Sequence, residues 1–123
     1  MDSKELQDRT KRFALNIIKL SGKLPNKPES WIIGRQIIKS GTSVAANYRA
    51  VCRSKSDKDF ISKIGTVIEE ADETLFWLEL IEESGLVEKE KDLIQILKKE
   101  ANELTAIFVS SSKTVKKRLN NLQ

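Results

Sequence analysis

Apolar side chains recur along this chain at every third or fourth position, in four runs separated by short breaks. Leu6, Thr10, Phe13, Ile17 and Leu20 keep helical spacing, with Ala14, Ile18 and Ser21 beside them, so a helix is predicted over 3–21. Gly22, Pro25 and Pro28 in "GKLPNKP" end it. A second helix is expected over 29–54. A third is expected over 58–84, with Asp57 as its N-cap and Gly85 as a left-handed stop. The fourth, over 88–118, carries Leu93, Leu97, Ala101, Leu104, Phe108, Ser111, Val115 and Leu119, with acids near its start and bases near its end. Connections this short favour antiparallel neighbours. The expected fold is therefore all-α: one domain, residues 1–123, built as an antiparallel up-down-up-down four-helix bundle.

The second helix has three distinct sides at 100° per residue. Gly34, Ile38, Gly41, Ala45, Tyr48 and Cys52 form one, read as the core stripe, where small residues let a neighbouring backbone come close. Arg35, Lys39, Thr42, Ala46, Arg49 and Arg53 form a basic side. Gln36, Ser40, Ser43 and Asn47 form a small-polar side, bordered by Ile33, Ile37, Val44 and Val51. The third helix has a core stripe of Ile61, Ile64, Ile68, Ala71, Leu75 and Leu78, yet "TLFWLELI" is apolar nearly all the way round, with Phe76, Trp77 and Leu80 away from that stripe. Burial on every side of a small bundle implies other subunits, so a homo-oligomer is expected. Ser40, Ser43, Asn47, Phe76, Trp77 and Leu80 are the candidate interface residues.

Charge adds a division within the chain. The net charge of +4 is accounted for by Lys113, Lys116, Lys117 and Arg118, and residues 1–112 balance at 18 acids against 18 bases. Within that body, residues 34–63 hold seven bases against Asp57 and Asp59, whereas residues 69–83 hold seven acids and no base. Such a body suits an anionic partner or another copy of itself. Arg35, Lys39, Arg49 and Arg53, extended by the four tail cations, are the candidate contacts to nucleic-acid phosphates. Base-stacking aromatics are few, which argues against an oligonucleotide-reading surface.

Little else carries chemistry. With no histidine, the usual general base and the commonest metal ligand are missing, and no metal, cofactor or catalytic residue is expected. "SGKLPNK" lacks the spacing of a phosphate-binding loop, and no serine sits in a nucleophile elbow. Cys52 alone excludes an internal disulfide and reads as a small buried apolar residue in a reducing cytoplasm. "MDSKELQDRT" is too charged for a signal peptide, and no apolar run is long enough to span a membrane.

Five segments in order, "SGTSVAANYR", "DFISK", "EADETLFWLEL", "SGL" and "SSSKT", resemble the bacterial four-helix-bundle family, also called the 23S rRNA intervening-sequence protein family. The likeness spans roughly Leu6 to Lys117. It implies a bundle assembling as a ring-like homopentamer around a channel. It also implies possession of no catalytic residues and, for a branch carried in diversity-generating retroelements, engagement of nucleic acid and a reverse transcriptase. This chain departs from the family pattern at Ser62, where many members have histidine, and at Ala50, where an acid is common. Two functions stand as expectations: a non-enzymatic oligomer binding RNA or DNA through its basic surface, or a structural and protein-interaction module whose charged faces meet between subunits.

Overall fold

Asp2 opens the first helix by accepting a hydrogen bond from the Glu5 backbone N–H at 2.8 Å. A computed structural model describes residues 1–121, which form four α-helices and no strand. They are α1 (Ser3–Ser21), α2 (Pro28–Val51), α3 (Asp57–Ser84) and α4 (Lys91–Asn121), with a 3-10 turn over Glu88–Glu90 before α4. Pro28 occupies the first turn of α2, where its missing N–H costs nothing. The second helix stops at Val51, three residues earlier than its pattern suggests. Ser56, rather than Asp57, caps α3: its Oγ accepts from the Asp59 N–H at 3.1 Å. Asp57 is thereby the first helical residue, and its carboxylate is left for another partner. Gly85 ends α3 at φ 70°, as its glycine led one to expect.

The helices pack into a bundle in which consecutive helices share the largest contacts and α1 meets α4 more sparsely. At the core lie Phe13, Ile17, Ile37, Ile64, Leu78, Leu104 and Phe108, all essentially inaccessible to water. Each such side chain stabilises the fold by about 1.5–3 kcal/mol relative to exposure. Tyr48 stacks on Phe108 across the core at a ring separation of 5.6 Å, and burial pushes its phenol pKa up.

The buried stripes of α2 and α3 are rotated from the expected ones. In α2 the core side is Ile37, Val44 and Val51 with Ser40, while Ile38 and Ala45 are half-buried and Cys52 is exposed. The reading of Cys52 as a buried apolar residue is thus corrected: it lies past the helix end, where the chain turns outward. In α3 the buried set is Ile64, Val67, Ala71, Thr74, Leu78 and Ile81, and Ile61, Ile68 and Leu75 are half-buried. The reason is common to both. A helix wedged between two neighbours buries an arc centred between them, so large side chains take the bundle centre and small ones take the seams.

Polar contacts secure the looser side. Arg9 of α1 forms a two-pronged bond with Glu100 of α4, both contacts at 2.7 Å, and reaches Glu103 at 2.7 Å. The bond to Glu100 is the main reason its pKa is raised. Lys23 beside Glu90, at 3.4 Å, ties the α1–α2 connection to the turn before α4.

Candidate functional site

The stretch Ser40–Arg49 is the hinge between packing and surface. An added Cβ on Gly41 would sit 2.9 Å from Cγ2 of Ile17, so α1 presses directly on the backbone of α2 there. Thr42 turns its hydroxyl onto the Ile38 carbonyl at 2.6 Å and needs no outside partner. On the far side of that seam, α2 presents Arg35, Lys39, Arg49 and, just past its end, Arg53. All four are exposed, and none joins an ion pair among the described residues. Arg35 to Arg49 covers about 21 Å of helix at 1.5 Å per residue.

A cleft of about 430 Å³ runs beside this face, lined from α1 by Gln7, Asp8, Lys11 and Ala14 and from α2 by Thr42, Ala45, Ala46, Arg49 and Arg53. Lys11 therefore joins the basic side. Sequence reasoning missed it because only the docking of α1 on α2 sets which of the outward α1 lysines faces Arg49.

The tail cations are placed differently. Arg118 is committed to Asp57, with Nη2–Oδ1 at 2.9 Å and Nε–Oδ2 at 3.2 Å. That pairing raises the arginine pKa and holds the Asp57 carboxyl below its ordinary range. Lys113, Lys116 and Lys117 are exposed on α4, whose main neighbours are α3 and α1, so they lie across the bundle from the α2 stripe. The structure therefore does not join the eight candidate cations into one surface.

The small-polar side is also split. Ser40 is buried between α2 and α3, where its Oγ accepts from the Thr74 hydroxyl at 2.9 Å and its own hydroxyl donates to the Ile37 carbonyl at 3.3 Å. As a candidate interface residue Ser40 is corrected: the rotation of α2 turns it into a seam within one chain. Ser43 and Asn47, nearer the surface, are half-buried.

On α3 the outward side carries Glu69, Asp72, Glu73 and Glu83 around Phe76 and Leu80, both exposed, Phe76 by half. Trp77 is half-buried, packs edge-on against Phe76 at 5.1 Å, and donates its N–H to Glu73 at 3.3 Å. Burial, and next the nearby Glu73, push the Glu70 carboxyl up, with Lys39 across the α2–α3 seam opposing them. Glu82 is drawn inward to Lys98, at 2.8 Å, and to Gln95.

No group of three or more His, Cys, Asp or Glu side chains is arranged to hold a metal among the described residues, and no described helix is long and apolar enough to cross a membrane. The molecule is thus an all-α bundle whose exposed surface includes a basic face on α2 that joins no ion pair among the described residues, and an acidic, aromatic face on α3. Its sequence places it more closely: the chain belongs to the 23S rRNA-intervening sequence protein family, whose profile matches residues 3–110. The structure is similar to the crystal structure of a protein of unknown function from the S23 ribosomal protein family of Bacteroides thetaiotaomicron, with a TM-score of 0.81 and 29% identity, covering 92% of this chain and 99% of that one. No curated protein matches the chain.

Proposed function

We propose that this protein is a non-enzymatic homo-oligomer that binds RNA or DNA phosphates along the outer face of α2. The observation that carries the reading is the stripe Arg35, Lys39, Arg49 and Arg53, exposed and in no ion pair among the described residues. Cations that form no ion pair within their own chain remain available to a polyanion, and the contact tolerates any sequence. The four helices run up-down-up-down. Supporting this, Ser21 at the end of α1 lies 3.2 Å from the Cβ position of Gly34 near the start of α2. Arg118 near the end of α4 meets Asp57 at the start of α3.

The subunits assemble head to tail into a closed ring, in keeping with the family resemblance to pentamers. The outward surface of α3, with Phe76 and Leu80 exposed at its centre, supplies an apolar patch for a neighbouring subunit to cover, and head-to-tail contacts close into a ring when the rotation between neighbours allows it. The acids around that patch favour a second reading, in which the two charged faces meet only each other and nucleic acid plays no part.

Gel-shift titrations with a structured RNA test the first reading. Four phosphate contacts predict a slope of about −4 in log K against log[salt], and Arg35→Glu with Arg53→Glu should bring it near −2 while the mass by light scattering stays that of the wild type. Absence of salt-sensitive binding by the wild type removes the nucleic-acid reading. Collapse of the oligomer in the double variant supports the second. A wild-type mass of 14.0 kDa, that of one chain, overturns assembly in either form.

A further inference from the structure

At the opposite end of the stripe from Arg53, the α1–α2 connection and the start of α2 border an open cleft of about 320 Å³. It is lined by Trp31, Gly34, Arg35 and Ile38 of α2 and by Leu24 from the connection. Two features of this cleft are only partly used by the fold. Trp31 is 58% exposed, a large apolar surface left in water, although its indole N–H is anchored to Asn26 Oδ1 at 2.8 Å. Ser30 is 4% exposed and lines the same cleft, yet its hydroxyl has no hydrogen-bond partner. A buried hydroxyl without a partner is destabilising, and an exposed tryptophan held in one orientation gains nothing for the monomer.

A flat π-surface, a cation one helical turn further along and an unused hydroxyl behind them together match one ligand chemistry. We propose that this cleft takes an unpaired nucleobase of a single strand: the base stacks on Trp31, the adjoining phosphate lies at Arg35, and the Ser30 hydroxyl bonds the base edge. The inference rests on the nucleic-acid reading above and sharpens it, because a duplex has no free base to offer. The basic stripe would then follow the backbone of the same strand away from the pocket.

Fluorescence anisotropy with a labelled hexaribonucleotide and with a short RNA duplex separates the pocket from the stripe. Trp31→Ala should weaken hexamer binding roughly 5- to 150-fold and leave duplex binding unchanged, while Trp31→Phe retains most of the hexamer affinity. Ser30→Ala should weaken the hexamer by roughly 2- to 12-fold without lowering the melting temperature, since it removes an unsatisfied group. In a Trp77→Phe background, which leaves Trp31 as the one indole, hexamer binding should quench the emission. Equal hexamer affinity for Trp31→Ala and wild type overturns the pocket and leaves the stripe standing. A single nucleotide binding as tightly as the hexamer overturns the claim that a strand is the ligand. Failure of both hexamer and duplex to bind the wild type removes the pocket and the stripe together.

Discussion

Helices α2 and α3 each contain an interior glycine and a dense run of like charge, and the bundle uses them in opposite ways. Gly41 of α2 lies under Ile17 with no room for a methyl group, whereas an added Cβ on Gly65 of α3 meets nothing within 4 Å. The basic stripe of α2 joins no ion pair among the described residues. The acids of α3 are partly engaged at home: Glu82 with Lys98, Glu73 with Trp77, and Glu70 half-buried beside Lys39. A small residue or a charge in a sequence thus has no fixed meaning. Its neighbour decides whether a glycine is a packing contact or an unfilled position, and whether a charge is structural or available to a partner.

The largest effect that tests this contrast is Gly41→Ala. Its gain in helix propensity, about 1 kcal/mol, is outweighed by the clash with a branched and fully buried Ile17, so a net loss of about 1–3 kcal/mol is expected in urea unfolding. A stabilised Gly41→Ala would mean that the α1–α2 seam is looser than its geometry. Gly65→Ala should do the reverse and raise stability by about 0.5–1 kcal/mol, since only the backbone entropy of the unfolded chain changes. A loss there would reveal that the outer side of α3 is covered in solution by another copy.

The smallest effect concerns pH. Glu70 has a folded pKa above its ordinary value, so the folded state holds its proton more tightly, and its contribution to stability falls as pH rises from about 4.5 through the folded value. Glu70→Gln should remove that loss, gaining roughly a few tenths of a kcal/mol at neutral pH and nothing at pH below 4. Asp57 and Asp59 act with the opposite sign. Their folded pKa values are lowered, chiefly by the Arg118 side chain and the Lys55 backbone N–H, so their stabilisation is present above about 3.8 and lost as pH falls through the folded values. Thermal melts of wild type and Glu70→Gln from pH 3 to 8 check both slopes.

Much of this was legible in the chain. Helix periodicity, the prolines after α1 and Gly85 after α3 located the elements to within a few residues, because they act locally. The basic side of α2 was legible too, since Arg35, Lys39, Arg49 and Arg53 keep one angular position whatever surrounds them. Ser40 and Cys52 were misread because burial depends on where the neighbours stand, and an arc facing two helices differs from the apolar centroid of one. Trp31 was passed over among a small number of aromatics. Its meaning comes from Ser30, Arg35 and Leu24 converging on the same cleft, to which Leu24 belongs through the fold of a connection rather than a period.

By itself, the sequence determined four helices, their ends to within a few residues, and the segregation of charge, all set by interactions within a few residues. The tertiary structure decided which side of each helix is inside, that Lys11 joins the α2 cations while Arg118 is taken up by Asp57, and that a cleft with an unused hydroxyl opens beside an exposed indole. Those outcomes depend on the packing angle and register of helices distant in sequence, which no local pattern encodes.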